Sequence, residues 1–333
     1  MGKGNNDHAI RKVMAKRYWW KEAATSSILF DFCWFQTNKP INFAQFNGAK
    51  GSKKMANHFE FNREIGTKSN LLRNLQAYCE KNSLELFKIT PITFILDMYD
   101  PYYTTDYQIF LKYFKEFPKS FERSDAEIKE ASDLQKADSK TSPTQKQQSP
   151  RLSMKHVHVK LPDTYYSGCN LWLLKPTDYN RGRGINLFNK QSTLEHCLKC
   201  FQTGEDADTK SSAPKKVGSS STPASKGASL NLVKSHRFVV QKYIEKPMLI
   251  DQRKFDIRTW VLIDHEMNLY QFKESYLRLS SEPFSLDETQ IEDKYIHLTN
   301  NAVQKYGKNY GKHENGNIVS FKEIQVIIWV MFC

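Results

Sequence analysis

Lys175 and the short segment after it have the composition of a phosphate-binding loop. Lys175 closes the apolar run LWLLK, and the segment NRGRG begins five residues later. Gly182 and Gly184 would let backbone N–H groups approach a phosphate closely, and Arg183 between them carries a guanidinium group suited to phosphate oxygens. An exposed surface turn has the same composition, and the segment is neither a GxGxxG fingerprint nor a P-loop. The pattern alone therefore leaves both interpretations open.

A second group of charged residues lies on one face of a predicted strand, KFDIRTWVLI (254–263). Side chains of a strand alternate between its faces, so Lys254, Asp256 and Arg258 point together. The apolar residues of the run are predicted on the other face: Phe255, Ile257, Val261 and Ile263. The segment LYQFKESYLRLS (269–280) is the predicted hairpin partner and brings Arg278. This row is either the solvated face of an antiparallel sheet or a site that binds anionic oxygens.

Two further segments place polar residues at the ends of short apolar runs. RFVVQKYI (237–244) is a predicted strand that ends in Gln241, Lys242, Tyr243 and Ile244. In IHLTNNAVQK (296–305), Thr299 and Asn300 follow an apolar pair. Capping of a helix is the ordinary role of such residues, and contact with a ligand is the alternative.

The composition indicates a folded protein with an acidic partner. The 333 residues carry a formal net charge of +13, and 39% of them are hydrophobic. Such a charge suits nucleic acid, an anionic membrane or an acidic protein surface. The CxxC pair, Cys197 and Cys200, fits an amphipathic helix and has no second pair to complete a zinc site. We expect reduced thiols and no membrane span, since the run IQVIIWVMFC (324–333) is half the required length.

The distribution of apolar residues predicts three lobes that two disordered insertions interrupt. Helices are predicted over 62–82, with Thr67 as N-cap, and over 105–117, and a buried strand over 91–98. Two segments rich in Ser, Thr, Lys and Pro cannot bury enough apolar surface to fold. The predicted divisions are a basic N-terminal segment 1–24, an N-terminal lobe 25–90, a central lobe 91–240 with insertions 132–150 and 207–229, and a C-terminal lobe 241–333.

The order of these motifs resembles the tubulin–tyrosine ligase-like family of ATP-grasp enzymes. The similarity covers about residues 25–325 and is densest from 170 to 306, where a lysine strand, a Gly/Arg loop, VVQKYIEKPMLI, KFDIRTWVLI, YLRLSSEPFSL and IHLTNNAVQK follow in sequence. The resemblance implies an α+β fold of the ATP-grasp type, with an N-terminal α/β lobe, a central lobe and an incomplete C-terminal lobe.

The resemblance also implies a reaction, its cofactors and the roles of individual residues. Such ligases use ATP and Mg²⁺ to phosphorylate a tubulin carboxylate, and a free amino acid, here glutamate or glycine, then attacks the acyl phosphate. Arg258 and Arg278 would bind the amino-acid carboxylate or the charged intermediate. The nucleotide would be held by Lys175, Gly182, Arg183, Gly184, Gln241, Lys242, Tyr243, Ile244, Lys254, Asp256, Thr299 and Asn300.

The implied partners are tubulin or microtubules, whose acidic tails suit the positive charge of this chain. We expect a protein of the cytoplasm, associated with the cytoskeleton or a cilium. Nucleic acid is the least favoured partner, because no RRM, KH or helix-turn-helix signal is present.

One departure from the family pattern concerns the metal ligands. Family members continue into a strand ending in an acidic residue and a Glu-x-Asn motif that hold magnesium, whereas nothing after Ser320 here supplies those carboxylates. The metal ligands are therefore unknown. We expect a C-terminally truncated gene product, and the alternative is an inactive short form that only binds microtubules.

Overall fold

The computed structural model describes residues 2, 6–24, 26–27, 29–46, 54–117, 166–204 and 234–325. By its internal contacts the chain divides into two compact units, Met1–Asn74 and Leu75–Cys333. The predicted insertions 132–150 and 207–229 lie outside the described residues. The four predicted domain boundaries stay predictions.

The first unit contains short elements. Its helices are α1 (Asp7–Ala15), α2 (Arg63–Gly66) and the beginning of α3 (Lys68–Lys81), and its strands are β1 (Phe32–Cys33) and β2 (Met55–Ala56). The two strands pair in parallel.

The predicted helix 62–82 is two helices that meet at Thr67. Thr67 is extended, with φ −100° and ψ 144°, and its hydroxyl donates to the carbonyl oxygen of Arg63 at 3.1 Å. Its own carbonyl accepts the first bond of α3, from Leu71 N at 3.0 Å, so Thr67 has the N-cap position that was predicted. On α3, Leu72 and Cys79 are buried, whereas Tyr78 is 57% exposed.

The second unit contains a four-stranded antiparallel sheet with the order β3-β6-β4-β5. The strands are β3 (Thr93–Asp97), β4 (Trp172–Pro176), β5 (Asn186–Phe188) and β6 (Arg237–Lys242). A short helix α4 (Leu86–Ile89) precedes β3, a helix over residues 103–117 (α5) follows it, and α6 (Gln191–Thr203) follows β5. The main apolar core joins this sheet to α5 and α6 through Phe110, Phe114, Trp172, Phe188, Phe201 and Phe238.

A second four-stranded sheet has the order β12-β11-β8-β7. Its strands are β7 (Leu249–Ile250), β8 (Arg253–Arg258), β11 (Tyr276–Leu279) and β12 (Ile318–Ser320), all antiparallel to their neighbours. Two short helices, α7 (Lys294–His297) and α8 (Asn301–Gln304), lie between β11 and β12, and residues 321–325 are helical (α9).

The single strand predicted over 254–263 is wrong in its second half. The chain leaves the sheet after Arg258, and β9 (Val261–Ile263) pairs only with β10 (Leu269–Gln271) as a separate hairpin. Val261 is 58% exposed, and Ile257, near the end of β8, is 55% exposed, so neither lies on the buried face that was predicted. The predicted hairpin partner is confirmed in two pieces, since β10 pairs with β9 and β11 pairs with β8.

The α+β class is confirmed, because the larger sheets are antiparallel and the helices lie outside them. The assignment of these sheets to ATP-grasp lobes is a proposal. In the part of the chain that the structure describes, no helix is long and apolar enough to cross a membrane.

Candidate active site

Two lysines from different sheets bond to residues near the end of β6 in the second unit. Lys175 lies on β4, and its ammonium group donates to Oε1 of Gln241 at 2.5 Å, while Gln241 donates to the hydroxyl of Thr93 at 2.9 Å. Lys254 lies on β8. Its pKa is lowered to about 7, first by burial and then by the positive charge of Lys175, while Asp256 opposes the shift. Two like charges that act on each other favour the binding of an anion nearby.

Lys254 is held by neutral oxygen atoms. Its ammonium group donates to the hydroxyl of Tyr243 at 2.9 Å and to the carbonyl oxygen of His297 at 3.0 Å, and it lies 4.2 Å from the centre of the Tyr243 ring. The Tyr243 hydroxyl is also 3.0 Å from Nδ1 of His297. Burial raises the pKa of Tyr243, and burial followed by the charge of Lys254 lowers the pKa of His297 to about 4.

Asp256 and Arg278 form a two-point ion pair across β8 and β11. They are direct partners in the register of the two strands. Nε of Arg278 donates to Oδ1 of Asp256 at 2.8 Å, and a terminal nitrogen donates to Oδ2 at 2.5 Å. The hydroxyl of Thr299 donates to the same Oδ2 at 3.0 Å. The carboxylate therefore fixes the guanidinium plane of Arg278, while Thr299 holds the carboxylate.

Arg278 also lines an open cavity of about 330 Å³. The other lining residues are Arg181, Asn300, Asn301, Ala302 and Lys305. Three of the six lining side chains are cationic and none is acidic. This lining suits a small anion such as a carboxylate.

The Gly/Arg loop packs directly against the helix that follows Thr299. Gly182 has φ +78°, and a Cβ at this position would lie 2.8 Å from Val303 Cγ2 and 3.0 Å from Asn300 Oδ1. Gly184 has φ +68° and would meet Pro176 at 2.9 Å. Both glycines are therefore required by conformation and by close approach. Asn300 stands at the N-cap of α8, yet its side chain makes no capping bond.

The remaining predicted residues lie apart from this centre. Lys242 is buried on the opposite side of β6, where it pairs with Glu245 and donates to the carbonyl oxygen of Leu171 at 3.0 Å. Ile244 is 36% exposed, and Arg258 is exposed at the end of β8. The exposed Arg183 donates to Asn180 Oδ1 at 3.3 Å within its own loop.

A divalent cation finds no ligand set among the described residues. No group of three His, Cys, Asp or Glu side chains there could hold a metal ion. Asp256, the acidic residue next to Lys254, already accepts from Arg278 and Thr299. Cys197 and Cys200 are buried on α6, as the helix interpretation predicts, and burial raises the pKa of Cys197 to about 11.

Sequence reasoning missed four residues of the site, namely Thr93, Arg181, His297 and Lys305. His297 and Lys305 lie inside the quoted motif IHLTNNAVQK and Arg181 inside NRGRG, so their proximity to the selected residues was the available signal. Thr93 reaches the site only because β3 pairs with β6, and nothing local in the sequence indicates that pairing.

Comparisons with known proteins identify the family of this chain. The family described as "TTL: Tubulin-tyrosine ligase family" matches residues 47–327. Tubulin glycylase 3B of Tetrahymena thermophila is 30% identical over 193 residues, 52% of this chain and 13% of that protein. Protein monoglycylase TTLL8 of Homo sapiens is 37% identical over 151 residues, 44% of this chain and 14% of that protein. Tubulin monoglycylase TTLL3 of Danio rerio is 31% identical over 146 residues, 41% of this chain and 14% of that protein. The matched part of the chain thus spans about one seventh of these relatives.

Proposed function

Since this chain belongs to the tubulin-tyrosine ligase family, we propose that it uses ATP to attach an amino acid to a tubulin carboxylate. The observation that carries the proposal is that Lys175 bonds Gln241 and Lys254, from the other sheet, bonds Tyr243 two residues further along, while Arg278 lines a cationic cavity. One cationic pair suits phosphate, and the cationic cavity suits a carboxylate. The joining of an amino acid to an acid with ATP needs both kinds of site.

The described side chains fit the phosphate groups of ATP. Lys175 and Lys254 would hold the phosphate oxygens, and Gln241 keeps Lys175 in position through its bond to Thr93. The loop with Gly182, Arg183 and Gly184 would cover the phosphates, and Thr299 and Asn300 would complete this end of the pocket. The backbone groups of Gln241, Lys242, Tyr243 and Ile244 would line the adenine. When bound, ATP supplies the phosphoryl group that activates the acceptor carboxylate.

Arg278 would bind the carboxylate of the incoming amino acid. Asp256 fixes its guanidinium plane, so the donors that remain point in a defined direction into the cavity. Arg258, at the exposed end of β8, would bind the same carboxylate or the charged intermediate. The amine then attacks the carbonyl carbon of the acyl phosphate, and the bond to phosphate breaks.

Glycine is the amino acid that we favour, because the relatives named above are glycylases. Glutamate is the alternative. We propose acidic tubulin tails as acceptors, since a chain with a net charge of +13 attracts them, and a location at the cytoskeleton or a cilium follows from that partner.

The described residues contain no group of three His, Cys, Asp or Glu side chains that could hold magnesium. This observation favours a second candidate function, a microtubule-binding protein without ligase activity. Phosphoryl transfer without a divalent ion leaves the phosphate charge poorly neutralised and is expected to be slow.

The test is incorporation of labelled amino acid into microtubules by the purified chain with Mg-ATP. Glycine, glutamate and tyrosine are supplied separately. The Arg278→Ala variant should lose incorporation, whereas Arg237→Ala, which removes an exposed arginine paired with Asp97 on the other sheet, should keep it. Microtubule binding without any incorporation would favour the second function, and equal incorporation by both variants would contradict the role of Arg278.

A further inference from the structure

His297 and Tyr243 form a directed chain of hydrogen bonds that ends on Lys254. Nε2 of His297 is 3.3 Å from the carbonyl oxygen of Gln290, which can only accept, so this nitrogen carries the proton of the neutral ring. Nδ1 therefore accepts from the Tyr243 hydroxyl at 3.0 Å. The oxygen of Tyr243 in turn accepts from the ammonium group of Lys254 at 2.9 Å. Each proton in the chain has one possible place.

The same histidine holds Lys254 a second time. Its backbone carbonyl oxygen accepts another N–H of Lys254 at 3.0 Å. An ammonium group has three N–H donors, so two are now directed. Among the described residues no acceptor lies within hydrogen-bonding distance of the third donor, and the neighbouring Lys175 is itself cationic.

We propose that Tyr243 and His297 are positioning residues, which act through Lys254 to direct its remaining N–H at a phosphate oxygen. The inference rests on the proposed function, since ATP is the ligand that brings the phosphate. It goes further by giving a role to His297 and by assigning the Tyr243 hydroxyl a task separate from contact with adenine. Both side chains are only 1% exposed, so solvent does not substitute for either of them.

The charges around Lys254 explain why its position must be enforced. The groups that face it are Lys175 from β4, Tyr243 after β6, Asp256 from β8 and His297 from α7. Asp256 is bound by Arg278 and Thr299 instead of by Lys254. Repulsion from Lys175 would turn the flexible lysine away from the site unless neutral acceptors held it.

The experiment compares matched substitutions by calorimetric binding of ATP, inorganic triphosphate and adenosine. Tyr243→Phe removes only the hydroxyl. Tyr295→Phe makes the same change on α7 outside the chain of hydrogen bonds and serves as control. His297→Asn keeps an acceptor near the position of Nδ1, whereas His297→Leu removes it. Thermal unfolding identifies variants that fail to fold.

We expect Tyr243→Phe and His297→Leu to weaken ATP and triphosphate binding about fivefold to tenfold, because a hydrogen bond to a charged group is lost. Adenosine binding should not change, Tyr295→Phe should behave as wild type, and His297→Asn should recover most of the affinity. The pH above which ATP affinity falls should move down by about one unit in Tyr243→Phe, because its charged lysine has lost an acceptor. Equal losses for ATP and adenosine, or an unchanged pH profile, would overturn the proposal.

A second readout separates this inference from the proposed function. The chain is labelled with ¹³C at the lysine ε-carbons, and the signal absent from Lys254→Met is titrated by NMR without any ligand. A lower pKa of that signal in Tyr243→Phe supports the positioning role even if the wild type binds no ATP, in which case the proposed function fails alone. An unchanged pKa overturns the positioning role.

Discussion

Lys242 and Lys254 are both withdrawn from water, but Lys242 pairs with a carboxylate whereas Lys254 bonds to neutral oxygens. Lys242 is paired with Glu245, both side chains are 0% exposed, and the rings of Phe117, Tyr166 and Trp172 lie 4.8, 5.2 and 5.8 Å from its nitrogen. Among the residues that the structure describes, Lys254 has only the neutral oxygens of Tyr243 and His297 as acceptors, and the charge of Lys175 opposes its own. The first charge is neutralised within the protein, and the second is not.

This difference is the one we expect between a structural lysine and the lysine that we propose binds phosphate. Burial lowers the pKa of Lys242 to about 8, and the charge of Glu245 opposes this shift. Burial by itself would raise the pKa of Glu245. Lys242 and the backbone N–H groups of Leu171 and Ser167 instead hold that pKa below its usual value. The Lys242 pair therefore needs no ligand. Lys254 and Lys175 together gain stability when an anion arrives.

The largest expected effect is on the structural lysine. Lys242→Met leaves the Glu245 carboxylate buried without its cation, and we expect a loss of about 3–5 kcal/mol in the free energy of unfolding. Urea unfolding measures it. Lys242→Met/Glu245→Gln should recover part of the loss, because the amide oxygen still accepts from Leu171 N, whose bond is 2.9 Å long. An unchanged midpoint in the single variant would show that the pair is not structural.

The binding lysine should respond to pH instead. Because the folded pKa of Lys254 lies near 7, below the usual 10.5, the unfolded chain binds the proton first as pH falls. Stability from this group is full above about 10.5 and is lost as pH falls towards 7. Relative to Lys254→Met, the wild type should gain on the order of 4–5 kcal/mol across that window. If the free energy of unfolding changed with pH in the same way in both proteins, the charge of Lys254 would not be uncompensated in the folded state.

The ion pair of Asp256 with Arg278 is expected to act by fixing the orientation of the guanidinium group. Arg278→Lys keeps the charge but loses the two-point contact with Asp256. We expect KM for the amino acid to rise about tenfold to thirtyfold, which corresponds to roughly 1.4–2 kcal/mol, with a smaller change in KM for ATP. Steady-state incorporation kinetics measure both constants. A matching rise in both constants would mean that Arg278 serves the whole site and not the amino acid.

The smallest expected change in stability concerns the Gly182 loop, which contacts α8. Gly182→Ala adds a methyl group 2.8 Å from Val303 at φ +78°, and Gly311→Ala adds one at φ +73° whose nearest neighbour is 3.9 Å away. Both variants should lose stability through strain, and Gly182→Ala should lose about 1 kcal/mol more because of the contact. Thermal unfolding compares them, and equal losses would place the loop away from α8.

The sequence predicted the strands that carry Lys175, Gln241, Lys254 and Arg278, because alternation and local composition decide where strands form. A partner strand that brings Arg278 was predicted, and the structure pairs Arg278 with Asp256 across it. The break after Arg258 could not be predicted, since the apolar run continues through Trp260 and only tertiary pairing moves β9 into another hairpin.

The roles of Lys242 and His297 depend on contacts that are distant in the chain. Lys242 was predicted among the nucleotide-binding residues with its neighbours on β6, but side chains alternate along a strand and its ammonium group is buried with Glu245. The task of His297 depends on Gln290, Tyr243 and Lys254, which come from three separate segments. No local pattern brings these groups together.

The most direct test of a phosphate site at Lys175 and Lys254 is calorimetry. It measures the affinity of ATP and of adenosine for the wild type, Lys254→Met and Lys199→Met. Lys199 is exposed on α6 and serves as control. We expect the wild type and Lys199→Met to bind ATP much more tightly than adenosine. Lys254→Met should lose about a hundredfold in affinity for ATP and none for adenosine. Equal binding of ATP by Lys254→Met and the wild type would contradict a phosphate site at the two lysines.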